Sequence, residues 1–187
     1  MAGGASRRMG RNKALLPWKG TPLAALAASK VMAAAGSAAL VGPPEALAGL
    51  GYEVIADLYP GQGPLGGVIT ALRASQADWN LILACDMPLV PVDFLHALLA
   101  AAESSGVSCL AACSAPGRLE PLCAVWRREI LSDLEELFHN GVRKMETALE
   151  AAGAAALSAD EPQWFWNLNT PEDWGTHGQP PPPPWET

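Results

Sequence analysis

The chain has 187 residues, a length that corresponds to one domain of moderate size rather than two. Hydrophobic residues make up 50% of it and charged residues 17%, a balance that excludes a disordered chain, a coiled coil and a collagen-like fibre. Lys and Arg total 12 while Asp and Glu total 19, so the net charge is −7, which disfavours nucleic acid and anionic membranes as partners.

Helix and strand patterns alternate along the first half of the chain. Leu23 to Lys30 predict a helix with Thr21 as its N-cap, Pro22 at its first position and Gly36 as its end. The elements predicted after it are a strand at 38–41, a brief helix at 44–51, a strand at 52–56, a helix at 64–77 and a strand at 79–85.

The alternation continues through the second half. The predicted elements are a helix at 92–105, strands at 107–113 and 122–126, helices at 128–138 and from 142 to 152, and strand-like residues at 155–158 and 163–166. The spacings are too long for hairpins, which favours a mostly parallel sheet with helices on both faces. The predicted fold is therefore a three-layer α/β/α sandwich.

One domain at 1–175 and a flexible tail at 176–187 account for the whole chain. Five consecutive prolines in the tail predict an exposed polyproline II extension, which is either passive or a ligand for a proline-reading domain. No apolar run reaches the roughly 20 residues of a membrane span. The four cysteines form no CxxC pair, so we expect reduced thiols and a cytoplasmic protein.

Acidic residues follow two of the predicted strands. Asp57 comes after the strand at 52–56, and Asp86 after the strand at 79–85. Ligands of open α/β sheets bind outside the carboxyl ends of the strands, so both carboxylates are predicted at the binding edge. The segment 2–10, with Lys13 shortly after it, has the composition of a phosphate-binding turn but matches neither the Walker A pattern nor GxGxxG.

These residue types suit phosphoryl or nucleotidyl transfer. Gly3 and Gly4 would let the backbone approach a triphosphate, and Arg8 and Lys13 would neutralise its oxygens. Asp86 would hold Mg²⁺, which prefers one or two carboxylates together with phosphate oxygens. The alternative for Asp86 is a structural one, in which it helps to start the helix that begins near 91.

Four segments, in order, resemble the MobA-like nucleotidyltransferases. They are AGGASRRMGRNKALL at 2–16, GPLGG at 63–67, CDMP at 85–88 and NLNTPED at 167–173. The first is similar to the family pattern L-A-G-G-x-S-x-R-M-G-x-x-K. The last most resembles the molybdenum cofactor guanylyltransferases.

The resemblance implies a Rossmann-like sheet of the nucleotide-diphospho-sugar transferase type and a Mg²⁺-dependent reaction. In that reaction the terminal phosphate of molybdopterin attacks the α-phosphate of GTP, pyrophosphate leaves and molybdopterin guanine dinucleotide forms, with transient contact to molybdoenzymes or their chaperones. The residues that it implicates are Ala2, Gly3, Gly4, Lys13 and Asp57 for the nucleotide, Arg8, Lys13 and Asp86 for catalysis, Asp86 for the metal, and Asn167 and Asn169 for lining the site.

Other functions remain open at this level. The same fold serves a cytidylyltransferase that acts on the same pterin and nucleotidyltransferases that act on other phosphate monoesters, and a non-catalytic nucleotide- or cofactor-binding module is a third class. Arg143 and the adjacent Lys144 are candidates for binding the acceptor phosphate, with a solvated helix start as their structural interpretation. Thr170 to Asp173 are assigned mainly to helix initiation.

The family has an apolar strand before its L-A-G-G, and Met1 stands where that leucine would be. We therefore expect the first, central strand to be missing and the natural protein to carry it upstream.

Trp164 and Trp166 are predicted to share one face of a strand. Their indole rings would either pack against other side chains or stack on a pterin or guanine ring. Cys109 and Cys113 favour core packing over zinc.

Overall fold

The structure is a computed structural model that describes residues 12–115, 117–169 and 173. Among these residues, no helix has both the length and the hydropathy needed to cross a bilayer. The tail and the predictions for Ala2, Gly3, Gly4 and Arg8 lie outside the described residues.

In chain order the elements are β1 (Pro17–Trp18), β2 (Thr21–Pro22), α1 (Leu23–Ala35), β3 (Ala39–Val41), α2 (Pro44–Leu47), β4 (Glu53–Ile55), α3 (Pro64–Ala74), β5 (Trp79–Leu83), α4 (Val92–Ser104), β6 (Cys109–Ala115), β7 (Arg118–Arg127), α5 (Leu131–His139), α6 (Met145–Ala151) and β8 (Ala155–Ser158). Short 3-10 helices precede β1, follow α2, precede α5 and follow β8.

The strands between the helix layers form two separately bonded groups. β3 pairs in parallel with β4. The other four strands are bonded in the order β5-β7-β6-β8, in which β7 is antiparallel to both neighbours and β8 is parallel to β6. The predicted fold class is confirmed, but the sheet is mixed rather than mostly parallel because β7 runs against β5 and β6.

β6 and β7 form a hairpin, contrary to the prediction that the strand spacings exclude one. The connection passes through Gly117, whose φ of +76° lies in the left-handed region that glycine adopts without strain. β7 begins at Arg118, so the predicted strand at 122–126 covers only its second half. Residues 121–123 form an irregularity in the ladder with β6, where Pro121 is tolerated without a backbone N–H.

Helices cover both faces of the sheet, as predicted. On one face α3, α5 and α6 pack against Ile82 and Trp126. On the other face α1 and α4 pack against Leu83 and Val125. Adjacent residues of a strand point to opposite faces, so each strand contributes to both cores. This arrangement confirms the three-layer α/β/α sandwich.

Proline changes the element predicted near the end of the domain. The strand-like segment at 163–166 is instead a 3-10 helix over Pro162–Phe165, with proline in its first turn. Trp164 packs on Phe94 with ring centroids 5.4 Å apart, whereas Trp166 is 49% exposed. The two indoles therefore do not share a strand face.

The start of α1 also differs from the prediction. Thr21 pairs with Trp18 across the small β1–β2 ladder, and Pro22 occupies the N-cap position with no side-chain bond. The end is as predicted, because Gly36 has a φ of +77° and its N–H donates to the carbonyl of Met32.

A slot separates the β3–β4 pair from the four-stranded group. Among the described strands, β3 pairs only with β4 and β5 only with β7, and β3 and β5 line a cavity of about 540 Å³ between them. Helix α1 contributes Ala27 and Val31 to its wall and α3 contributes Ala71. The sequence predicts a central strand in this sheet, and none of the described residues fills the slot.

Candidate active site

Three predicted site residues meet at one point. The Nζ of Lys13 donates to Oδ2 of Asp86 over 2.7 Å and to Oδ1 of Asn169 over 2.6 Å. The side chains of Lys13 and Asp86 are 12% and 23% exposed, so their charges are partly shielded from water yet reachable. A cation held between a carboxylate and an amide is suited to bind phosphate oxygens.

Lys13 projects from a turn that is fixed on both sides. It opens the 3-10 helix Lys13–Leu15, and the side chain of Asn12 accepts a hydrogen bond from the N–H of Ala14 over 3.2 Å. Ala14 is buried and packs against Leu40 of β3. The lysine stem therefore starts from a rigid point next to the sheet.

Asp86 follows β5, as predicted, and its backbone is anchored to the far end of the domain. Its carbonyl accepts a hydrogen bond from the N–H of Leu168 over 3.0 Å. Helix α4 begins only at Val92, with Pro91 at its N-cap position and no side-chain cap bond. The alternative that Asp86 starts this helix is therefore wrong.

Lys30 supports the site from α1, although no sequence motif marks it. From α1, its Nζ donates to the carbonyls of Pro88 and Val90 over 2.6 and 2.7 Å. Burial lowers the pKa of Lys30 from 10.5 to about 8. The feature of the sequence that could have pointed to Lys30 is its position as the one charged residue of α1. Lys30 fixes the loop that carries Asp86 against α1.

The two predicted amides have different positions. Leu168 between them is fully buried against Leu16 and Leu23, which fixes the segment beside Asp86. Asn169 reaches Lys13, and its own N–H donates to Oδ2 of Asp173 over 2.7 Å. Asn167 makes no hydrogen bond to Lys13 or Asp86, so Asn169 alone joins the cluster. Of the predicted helix start at 170–173, only Asp173 is among the described residues.

Asp57 lies just beyond β4, where the sequence predicts it, but its hydrogen bonds are local. Its Oδ1 accepts from the N–H of Tyr59 over 2.9 Å and from Oγ1 of Thr70 over 3.3 Å. The buried Thr70 hydroxyl also accepts from the N–H of Leu58. No hydrogen bond joins Asp57 to Lys13 or Asp86, and its contact with a nucleotide stays a prediction.

The GPLGG segment has a structural explanation at two of its glycines. Gly63 has a φ of +94° directly before Pro64, the first residue of α3. A Cβ on Gly66 would lie 2.8 Å from the Cβ of Tyr59. Both positions therefore need glycine for the turn into α3 and for the packing of Tyr59 on that helix.

Arg143 lies beside the same segment and is largely engaged within the protein. Its Nη1 donates to the carbonyls of Phe138 and Val142, and its Nη2 donates to Oε1 of Gln62 over 2.9 Å. The guanidinium also lies 3.7 Å from the centre of the Phe138 ring. Arg143 thus connects the loop before α3 to the end of α5, and its contact with an acceptor stays a prediction.

The core interpretation of Cys109 is confirmed, because its side chain is fully buried between the helices and the sheet. Burial raises the pKa of the Cys109 thiol to about 12, which keeps it protonated near neutral pH. Cys113, in contrast, is only partly buried, and its Sγ contacts the carbonyl of Ala115.

Asp86 is the candidate metal ligand. Within the part of the chain that the structure describes, no three His, Cys, Asp or Glu side chains gather into an enclosed metal site. Mg²⁺ needs no such cage, since it keeps waters and phosphate oxygens and takes one or two carboxylates. The partly exposed carboxylate of Asp86 fits this requirement.

Known proteins resemble this chain over most of its length. The family model described as the MobA-like NTP transferase domain matches residues 1–157. A molybdenum cofactor guanylyltransferase of Cereibacter sphaeroides is 35% identical over 179 residues, which cover 92% of this chain and 90% of that protein. A probable molybdenum cofactor guanylyltransferase of Nostoc sp. is 34% identical over 178 residues, or 92% of this chain and 86% of that protein. The crystal structure of molybdopterin-guanine dinucleotide biosynthesis protein A from Archaeoglobus fulgidus matches with a TM-score of 0.76 and 26% identity, over 94% of this chain and 93% of that one.

Proposed function

Because the chain belongs to the MobA-like NTP transferase domain family, we propose that it transfers GMP from GTP to the terminal phosphate of molybdopterin. An oxygen of the pterin phosphate forms a bond to the α-phosphorus, the bond from that phosphorus to the oxygen bridging the β-phosphate breaks, and pyrophosphate leaves. The product is molybdopterin guanine dinucleotide. Relatives named molybdenum cofactor guanylyltransferase, similar over 92% of this chain, support this choice of substrates.

The observation that carries the proposal is the meeting of Lys13, Asp86 and Asn169. Lys13 and Asn169 are 156 positions apart in the chain, yet their side chains are 2.6 Å apart. An ammonium group has three N–H donors. Among the described residues, Asp86 and Asn169 accept two of them, which leaves the third donor for a phosphate oxygen.

Lys13 supplies positive charge where negative charge grows as the pyrophosphate leaves. A fixed, partly desolvated cation stabilises such charge more strongly than water does. Asp86 and Asn169 hold the ammonium in place, and Leu168 holds the backbone of Asp86. A phosphate monoester has its second pKa near 6, so the attacking oxygen is ionised at neutral pH and needs no general base.

The proposal includes Mg²⁺ on Asp86. When bound there, the ion would neutralise phosphate charge and orient the triphosphate. The carboxylate of Asp86 would be the one acidic ligand that the described residues supply. Phosphate oxygens and waters would complete the coordination.

The wider setting of the reaction belongs to the same proposal. GTP and molybdopterin are the substrates, and the dinucleotide has to be handed to a molybdoenzyme or its chaperone by a transient contact. All four cysteines are free thiols in the structure, which is typical of a protein in a reducing compartment, and we propose the cytoplasm.

Pyrophosphate release with molybdopterin as acceptor tests the proposal, with GTP or CTP as the donor and with or without Mg²⁺. We expect release from GTP that requires Mg²⁺ and falls by about 10²–10³-fold in Asp86→Asn, which removes the charge but keeps the shape. The matched control is Asp133→Asn, at an exposed position of α5, which should leave the rate unchanged.

Three outcomes contradict parts of the proposal. Release from CTP instead of GTP makes the chain a cytidylyltransferase. Nucleotide binding by a folded chain without release from either nucleotide makes it a binding module. An unchanged rate in Asp86→Asn removes this carboxylate from the reaction.

A further inference from the structure

A second cavity lies between the β6–β7 hairpin and α6 and has a volume of about 630 Å³. Residues 117–121 of the hairpin form one wall, and Glu146, Leu149 and Glu150 of α6 contribute to the other. A volume of several hundred cubic ångströms is typical of sites that bind small organic molecules. The reaction proposed above uses none of these residues.

Glu120, which lines this cavity, lies at the same edge of the sheet as Asp86. The N–H of Ala84 donates to the carbonyl of Leu122 over 2.8 Å. Asp86 is two residues after Ala84, and Glu120 is two residues before Leu122. Because β5 and β7 are antiparallel, both carboxylates lie at the edge where β5 ends, which is the edge of the proposed reaction.

The cavity and Lys13 lie on different sides of Asp86. Lys13 belongs to the β3 side, because its neighbour Ala14 packs against Leu40. Glu120 belongs to β7, which pairs with β5 on the side away from β3. In phosphoryl transfer the attacking and leaving oxygens lie roughly in line across the phosphorus, so donor and acceptor need separate places. The side with Lys13 suits the triphosphate, which leaves the cavity for the acceptor.

Glu120 is a buried carboxylate with one oxygen left for a ligand. Its side chain is 7% exposed, and its Oε1 accepts a hydrogen bond from Oγ of Ser114 over 2.6 Å. The same oxygen lies 3.2 Å from Nε of Arg118, whose side chain is 69% exposed. Oε2 has no hydrogen-bond partner among the described residues, yet the one unpartnered side-chain atom enclosed by them is Nε1 of Trp126. Oε2 is therefore not enclosed and is available to a ligand in the cavity.

The ring of molybdopterin offers the donors that this carboxylate lacks. Its 2-amino-4-oxo edge presents an N–H beside an amino group, and a carboxylate accepts from two such parallel donors. Oε2 of Glu120 takes one, and movement of the exposed Arg118 frees Oε1 for the other, since an ion pair at such exposure contributes little. The carboxylates of Glu146 and Glu150 disfavour a phosphate in the cavity, so the ring enters it and the phosphate stays toward Lys13.

We propose that this cavity is the subsite for the pterin ring of the acceptor, with Glu120 accepting hydrogen bonds from its 2-amino-4-oxo edge. The inference rests on the function proposed above and adds the place of one substrate and the residue that selects it. Guanine presents the same pair of donors, so the base of GTP is the competing source of this chemistry. The experiment therefore compares the two rings.

Binding of free ring compounds to the whole chain, without metal or triphosphate, tests the subsite by NMR titration. The probes are 6-hydroxymethylpterin, guanosine and 6-hydroxymethyllumazine, in which a carbonyl oxygen replaces the amino group of the pterin. The pterin should shift the amide signals of residues 117–120 and 146–150 and bind at least about tenfold more tightly than the lumazine, whose carbonyl meets the carboxylate. Guanosine should bind these residues more weakly than the pterin does.

Glu120→Gln keeps the shape of the side chain and replaces one acceptor oxygen by a donor. It should remove the preference for pterin over lumazine, whereas Glu136→Gln, at an exposed position of α5 outside the cavity, should retain it. In pyrophosphate release, Glu120→Gln should raise the KM for molybdopterin by at least about tenfold and leave the KM for GTP unchanged.

Equal affinities of the wild type for pterin and lumazine, signal shifts outside the cavity, or tighter binding of guanosine at these residues would overturn the proposal. An unchanged preference in a folded Glu120→Gln would do the same. If that variant does not fold, the preference of the wild type and the map of its shifted signals decide. A preference for pterin in a chain that releases no pyrophosphate would support the subsite and contradict the proposed transfer, so the two fail separately.

Discussion

The contact between Lys13 and Asp86 should be a strongly coupled ion pair. We consider Lys13→Met, which keeps most of the stem and removes the charge, Asp86→Asn, which keeps the shape, and the double variant. Each single variant leaves the partner's charge partly buried without its counter-ion. The double variant removes both charges, so a double-mutant cycle isolates the coupling between them.

The expected magnitude follows from the distance and the burial. At 2.7 Å the Coulomb attraction is about 6 kcal/mol at an effective dielectric constant near 20 and about 1.5 kcal/mol in bulk water. Desolvation and the immobilisation of the lysine stem oppose it. With side chains 12% and 23% exposed, we expect a coupling free energy of about 1–2 kcal/mol.

Urea unfolding followed by tryptophan fluorescence measures the cycle, since the free energy of unfolding extrapolates linearly with denaturant. The chain offers a matched control pair, Arg127 and Glu129, which are 3.0 Å apart but 42% and 53% exposed. The cycle Arg127→Met, Glu129→Gln should give a coupling below about 0.5 kcal/mol. Equal couplings for the two pairs would refute the argument that burial sets the strength of the site pair.

Three further predictions concern single residues. The free energy of unfolding of Lys30→Met, relative to that of the wild type, should be lower at pH 10 than at pH 7. The pKa of Lys30 in the folded protein is about 8 and its ordinary value is 10.5, so between these values the unfolded wild type binds more protons than the folded one. The free energy of unfolding of the wild type therefore rises with pH over this range, whereas the methionine of the variant contributes no such change. A difference between the two proteins that does not change between pH 7 and pH 10, in urea unfolding, would contradict the burial of this charge. Gly66→Ala should lower the free energy of unfolding by about 1–3 kcal/mol, because the new Cβ meets Tyr59, whereas Gly49→Ala, with nothing within 4 Å, should be close to neutral; similar losses in the two variants would argue against the close contact. Trp126→Phe should cost clearly less than the about 3–5 kcal/mol of Trp126→Ala, because phenylalanine leaves a smaller cavity and no group among the described residues accepts a hydrogen bond from the buried indole N–H; equal losses in thermal or urea unfolding would contradict this reasoning.

Much of the layer architecture follows from local patterns. Apolar runs and helix ends predict α1, α3, α4 and β5, and the structure has each of them within a few residues of the prediction. The direction of β7 is not predictable in this way, because it depends on a turn at Gly117 and on an irregular strand. Glu120 and Pro121 interrupt the apolar pattern there, and only the ladder with neighbouring strands reveals the first half of β7.

The same distinction applies to the site, where local motifs predict single residues but not the contacts between them. Lys13, Asp86 and Asn169 were predicted from their motifs, yet their meeting depends on contacts between distant parts of the chain, which no local pattern encodes. Lys30 was not predicted because its partners are backbone carbonyls of Pro88 and Val90, which carry no sequence signal. The local hydrogen bonds of Asp57 were not predicted either, because one of them comes from Thr70 in α3.

The bond between Leu168 and Asp86 has a consequence for how the protein is made. Residues near both ends of the chain supply the cluster, with Lys13 near the start and Asn169 near the finish. During synthesis the N-terminal part emerges first, so the first two members of the cluster exist long before the third. The complete cluster therefore forms only after almost the whole domain has left the ribosome. A chain that terminates early lacks both Leu168 and the amide partner of Lys13, so incomplete products carry an unfinished site.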